Sequence, residues 1–150
     1  MYYPEFKRAS KKHLIACECL IFLLETNECK TKESHILTTI YYLTGYIFET
    51  ILKFSLYASV SFDKKDDISN LNSHSLTYNE NIKTHSLIKL KRDVEAKSLT
   101  SFSQYNNHKN LFSNWNSEIR YNEKTNFSKE EILSFFEFSK DTYTTLQQYK

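Results

Sequence analysis

Apolar residues recur at helical spacing in four stretches of the chain, separated by polar runs. In the first, Leu14, Cys17, Ile21 and Leu24 step by three or four positions, and Leu20 widens the stripe. That spacing predicts a helix from about Lys7 to Glu25, stopping in the polar run Thr26–Thr31. The second stretch is the strongest. Leu37, Ile40, Thr44, Ile47, Phe48, Ile51, Leu52 and Phe54 spread around a broad surface and predict a long helix from about Ser34 to Phe62. A third helix is expected from about Ser86 to Leu99, with Leu87, Leu90 and Val94 as its apolar side. Ser128 and Glu131 form an S-x-x-E capping box, Phe127 is placed to staple against the first turn, and Ile132, Phe135, Phe136, Tyr143 and Leu146 supply the stripe of a last helix. Between these lie two stretches read as polar loops, near 63–83 and 100–110, the first expected to be partly disordered. Leu111, Phe112 and Trp115 form an apolar knot after the second loop.

The long second stretch is long enough to cross a bilayer. It also holds Glu49 and Lys53 near its centre, each costly in lipid, so a central helix of a bundle explains it better than a membrane span. Glu49 precedes Lys53 by four residues, the favourable order for a helical ion pair. Their apolar surroundings imply that each charge has a partner or a function. Gly45 is the only glycine of the chain and falls in mid-helix, where its expected use is to let another helix approach closely.

Composition narrows the fold further. One Gly and one Pro in 150 residues leave little for the tight turns of a sheet-rich fold, so the expectation is an all-α antiparallel bundle of four to five helices in a single domain, 1–150. The single Gly also excludes Gly-rich phosphate loops, and with them P-loop and dinucleotide-binding functions. A net charge of +2 carries no argument for nucleic acid by itself. The one basic cluster, Lys7, Arg8, Lys11 and Lys12, reads as a solvated helix start or as a phosphate-facing patch. Cys17, Cys19 and Cys29 have no metal-knuckle spacing and are read as reduced, mostly buried thiols, which points to a cytoplasmic setting. The polar first twelve residues show no signal peptide. His13 and His108 have no ligand partners at metal-like spacing, and neither a metal nor a cofactor is expected.

Several strings, taken in order, resemble the HEPN family of helical-bundle domains. Tyr41-Tyr42-Leu43-Thr44-Gly45-Tyr46-Ile47-Phe48-Glu49-Thr50-Ile51-Leu52-Lys53 is similar to that family's second helix, where an aromatic, Gly-containing turn leads to an acidic residue followed by Leu-Lys. His13-Leu14 with Ala16 and Glu18 resembles the first helix, and His85-Ser86-Leu87-Ile88-Lys89-Leu90 the His-x-Leu-x-x-Leu opening of a later one. Trp115 with Arg120-Tyr121 resembles the segment before the last helix. The resemblance implies a HEPN-like bundle, commonly a homodimer, with a role around RNA or nucleotides in toxin–antitoxin or phage-defence systems.

Catalytic members of that family are metal-independent ribonucleases with an Arg-x(4–6)-His motif. His moves protons and Arg stabilises phosphate charge, as cleavage through a 2′-OH requires. Here Arg120 is followed by no His in range, and Asn126 stands at a possible His position. Arg8 and His13 have the spacing but lie on the first helix, turned apart. Three readings follow. The first is a non-catalytic module that dimerises and binds RNA, a nucleotide or a partner protein through a polar centre of Glu49, Lys53, Arg120 and Tyr121. The second is a metal-independent ribonuclease with a non-standard site, Arg120 and His85 being the catalytic candidates. The third is a pure interaction subunit of a defence or toxin–antitoxin complex. Arg120 is expected to anchor its loop or pair with Glu49, and His85 to cap a helix or satisfy the core.

Overall fold

The computed structural model describes residues 1–149, and side chains for all of these but residues 27 and 28; Lys150, the end of the expected domain, lies outside them. The described residues form an all-α helical bundle of five α-helices: α1 Pro4–Glu25, α2 Glu33–Ser59, α3 Leu87–Ala96, α4 Tyr105–Asn114 and α5 Lys129–Leu146. Among the described residues no helix is long and apolar enough to cross a membrane.

The architecture follows from α2. Every residue from 47 to 58 is buried, because α1, α3 and α5 all pack on this one helix. Helix α1 begins three residues earlier than expected, since Pro4 in the first turn loses no hydrogen bond there. Its buried side is Phe6, Ser10, Leu14 and Cys17, while Leu20, Ile21 and Leu24 are only half-buried. Ser10 is small enough to reach the backbone of α2 and donates to the Ile47 carbonyl at 3.0 Å. Lys7 donates to the Gln147 carbonyl at 2.6 Å, placing a cation at the C-terminus of α5. That takes Lys7 out of the basic cluster and leaves Arg8, Lys11 and Lys12 exposed.

Helices α2 and α3 both end about three residues short of expectation, and for one reason. Each closes with a Schellman motif whose left-handed residue is a serine: Ser61 at φ 52° and Ser98 at φ 54°. The Phe62 amide returns to the Tyr57 carbonyl, and the Leu99 amide to the Val94 carbonyl, both at 3.3 Å. Phe62 and Leu99 therefore fold back on the helices they leave, and read in the sequence as continuations of them.

Two expected loops are structured. The 63–83 segment buries Ile68, Leu71, Leu76 and Ile82, with a short 3-10 turn Ile68–Asn70 and a π-helical turn Tyr78–Ile82. The buried Tyr57 hydroxyl ties it down by donating to the Ile68 carbonyl at 2.7 Å. The 100–110 segment contains the first half of α4, whose buried side is His108, Leu111 and Phe112. The capping box of α5 is present as expected: the Glu131 amide donates to Ser128 Oγ at 3.1 Å and the Ser128 amide to Glu131 Oε2 at 2.7 Å. Phe127 packs edge-on to Tyr41 of α2, ring centroids 5.2 Å apart.

Cys17 is buried, and burial pushes its thiol up to about 12. Cys19 is exposed and Cys29 half-buried, so the expectation of mostly buried thiols holds for Cys17 alone. Two residues apart on a helix, Cys17 and Cys19 face different sides.

Candidate functional site

Tyr42, Tyr46, Glu49 and Lys53 step by four, three and four along α2, which sets them on one side of the helix. This row passes from the half-buried tyrosines to two buried charges. Lys53 Nζ donates to Glu49 Oε1 at 2.7 Å, and both side chains are less than a tenth exposed. Lys53 also lies 5.8 Å from the centre of the Phe6 ring of α1, so its stem is packed among apolar groups.

The second carboxylate oxygen is taken by His85. Its Nδ1 lies 2.9 Å from Glu49 Oε2. Buried Ile82 and Leu87 anchor the chain on either side of His85 and hold the ring over α2. Ser86, not His85, caps α3, its Oγ accepting from the Lys89 amide at 3.3 Å. The three groups therefore form a chain from interior to surface: buried ammonium, buried carboxylate, and an imidazole whose side chain is 62% exposed. With Nδ1–H donated to the carboxylate, Nε2 is left for solvent or a ligand.

Helix α1 adds a residue that the sequence did not mark for this place. His13 packs against Tyr46, ring centroids 5.7 Å apart. Burial, and then Lys12, lower the pKa of His13, while Glu49 opposes them. Arg8 stays exposed and does not join it. Tyr46 also meets Tyr42 and Trp115 edge-on, at 5.0 and 5.1 Å. Burial first, and then the neighbouring Tyr42 hydroxyl, raise the Tyr46 phenol to about 12.

Trp115 explains Gly45. A Cβ on Gly45 would lie 1.9 Å from the indole, so the glycine makes a slot for a ring and not for a neighbouring helix. The indole N–H donates to the Tyr42 carbonyl at 3.1 Å. Trp115 is 4% exposed and closes α4, two residues before the turn Ser117–Tyr121 that carries Arg120.

No family model, curated protein or solved structure matches this chain.

Arg120 does not pair with Glu49. Among the described residues the side chains in contact with the Glu49 carboxylate are Lys53 and His85. Arg120 is exposed, its guanidinium carbon 4.7 Å from the centre of the Tyr121 ring and its side chain beside the Tyr42 hydroxyl. It lines a small cleft of about 200 Å³ with Thr38, Thr39, Tyr42, Ile119 and Asn122. No hydrogen bond or ion pair joins His85 to Arg120 among the described residues. The expected polar centre is thus two neighbouring parts, Lys53–Glu49–His85 and Tyr42–Arg120–Tyr121, with Tyr46 between them under the charge of both Glu49 and Arg120. The described residues contain no cluster of three or more His, Cys, Asp or Glu able to hold a metal.

Proposed function

We propose that this chain is a HEPN-like helical module that dimerises and binds single-stranded RNA along the α2 row. The observation that carries the reading is the platform at its open end. The Arg120 guanidinium lies against Tyr121, which is 69% exposed, with Tyr42 beside it. Single-stranded nucleic acid is held by such pairs, an aromatic face for a base and a fixed cation for a phosphate. His13 and His85 flank the same row, whereas the only carboxylate of the row, Glu49, is already engaged by the Lys53 ammonium and the His85 ring. The family resemblance supports a cytoplasmic setting in a defence or toxin–antitoxin system, with a partner protein. A gel-shift of labelled single-stranded RNA tests the reading. Arg120→Ala and Tyr121→Ala each weaken the shift if it is right, and an unchanged shift in both rejects it.

One observation favours a second reading, a metal-independent ribonuclease. A carboxylate that holds Nδ1 of an exposed histidine fixes the ring with Nε2 outward, the arrangement a general base needs. In that reading His85 Nε2 takes the proton of a ribose 2′-OH, the 2′-oxygen bonds to the adjacent phosphorus as the P–O5′ bond breaks, the leaving 5′-oxygen takes a proton from water, and Arg120 stabilises the phosphate charge. Total RNA incubated with the protein in EDTA decides it. Cleavage that disappears in His85→Ala and in Arg120→Ala supports the enzyme, and intact RNA removes it.

A further inference from the structure

Seven large apolar side chains are exposed among the described residues, and three of them, Ile15, Phe22 and Leu23, stand together on α1. They lie on its outer side, away from the face of Phe6, Ser10, Leu14 and Cys17 that packs on α2. Phe22 is 66% exposed and Ile15 50%. With Glu18 and Cys19 the three line a shallow groove of about 460 Å³. Lys11, Ile15, Glu18, Phe22 and Glu25 step by four, three, four and three, the spacing of a helix that pairs with another along one seam. Exposed Cys19 widens the seam between its two apolar residues. An apolar centre with charged ends is the anatomy of a protein interface.

The charges along this seam select what covers it. Its N-terminal end is basic, with Arg8, Lys11 and Lys12 exposed. Its C-terminal end is acidic, with Glu25 exposed and no basic residue in the last turn of α1. A second copy laid antiparallel meets this pattern with its own reverse. With a two-fold axis between Glu18 and Cys19, Ile15 of each copy faces Phe22 of the other, and Lys11 of each comes beside Glu25 of the other. Glu18 falls near the axis, where two copies would repel, but Lys140 of α5 already engages it at 2.9 Å. A parallel pairing would set Lys11 against Lys11 and Glu25 against Glu25, so charge favours the antiparallel one. An anionic membrane would suit only the basic half. The antiparallel contact uses the same patch on both copies, as a closed two-fold dimer requires.

Resting on the dimerisation in the reading above, we infer that the outer face of α1 is the homodimer interface, the two α1 helices running antiparallel with Phe22 as the anchor against Ile15. This face lies on the other side of α1 from the α2 row, so the dimer leaves that row open to RNA.

The test is sedimentation velocity over a concentration series, for the unaltered protein and for variants at exposed positions that the fold does not use. The unaltered protein passes from monomer to dimer as concentration rises. Phe22→Asp raises the dimer dissociation constant about thirtyfold or more, the loss expected of an interface anchor. Lys11→Glu and Glu25→Lys each weaken the dimer about fivefold, since two exposed ion pairs are lost per dimer. The double variant Lys11→Glu/Glu25→Lys restores it. In a Cys29→Ser background a short bismaleimide joins two copies through Cys19, because Cys17 is buried, and Phe22→Asp abolishes the joining. A dimer that survives Phe22→Asp overturns the interface and leaves dimerisation standing. Single charge reversals that the double variant does not rescue overturn the antiparallel pairing. A protein monomeric at every concentration overturns both the interface and the dimerisation, whereas binding of labelled single-stranded RNA by that monomer upholds the RNA part of the reading.

Discussion

Glu49 and His85 lie 36 residues apart in the chain and 2.9 Å apart in space, with Lys53 on the other oxygen of the same carboxylate. Removing the carboxylate leaves a buried ammonium without a counter-charge. Glu49→Ala is expected to cost about 3–5 kcal/mol in urea unfolding. Lys53→Met is expected to cost less, because His85 remains on Glu49. The double variant Glu49→Leu/Lys53→Met is expected to recover much of the loss, since an apolar pair of similar volume removes the uncompensated charge. A double variant as unstable as the sum of the Glu49→Leu and Lys53→Met singles would show that the pair is not coupled.

Gly45→Ala drives a methyl into the Trp115 indole. Overpacking of this kind costs about 1–3 kcal/mol, partly offset by the roughly 1 kcal/mol that alanine gains over glycine in a helix. Displacement of the ring should shift its fluorescence to the red. The chain has one tryptophan, so the signal reports this site alone. An unshifted emission maximum would mean the ring does not sit on Gly45.

Ser61 and Ser98 hold left-handed backbone that glycine adopts without strain. Ser61→Gly and Ser98→Gly should each stabilise the fold by about 0.5–1 kcal/mol, less the extra entropy of glycine in the unfolded chain. Thermal unfolding measures this, and a lowered Tm in either variant would argue against the caps as described.

Burial lowers the pKa of His108, whose ring stacks on Phe138 at 5.3 Å, below the ordinary 6.5. Burial also lowers His13. For a base lowered on folding, the unfolded chain binds the proton first. Stability is therefore complete above about pH 6.5 and is lost as pH falls from there through the folded pKa values. Tm should drop between pH 7 and pH 5, and less steeply in His108→Gln. Equal slopes in the two proteins would remove His108 from the account.

Much of the helical frame is legible in the sequence because its signals are periodic or local. The stripe of α2, its charged pair and the Ser128–Glu131 box all belong to these kinds. What escaped has neither property. Ile68, Leu71, Leu76 and Ile82 are spaced by three, five and six, which matches neither helix nor strand, so the segment reads as solvent-exposed although these residues are buried. Helix α4 is hidden because its buried face includes His108 and its outer face is rich in asparagine. In the site, the spacing of Tyr42, Tyr46, Glu49 and Lys53 carried the signal for one row, and extending the charged pair two turns back would have found the tyrosines. Its neighbours His13, His85 and Arg120 come from three other elements, and only the packing on α2 decides that His85 rather than Arg120 takes Glu49.

The central claim, that the Tyr42–Arg120–Tyr121 platform holds the phosphates of single-stranded RNA, is tested most directly by the salt dependence of binding. Anisotropy of a labelled ten-nucleotide RNA is followed over a series of salt concentrations for the unaltered protein and for Arg120→Ala. Saturable binding is expected, with Arg120→Ala about tenfold weaker and its log–log salt slope smaller by about 1, the signature of one lost phosphate contact. No saturable binding, or an Arg120→Ala protein with the same affinity and the same slope, would contradict it.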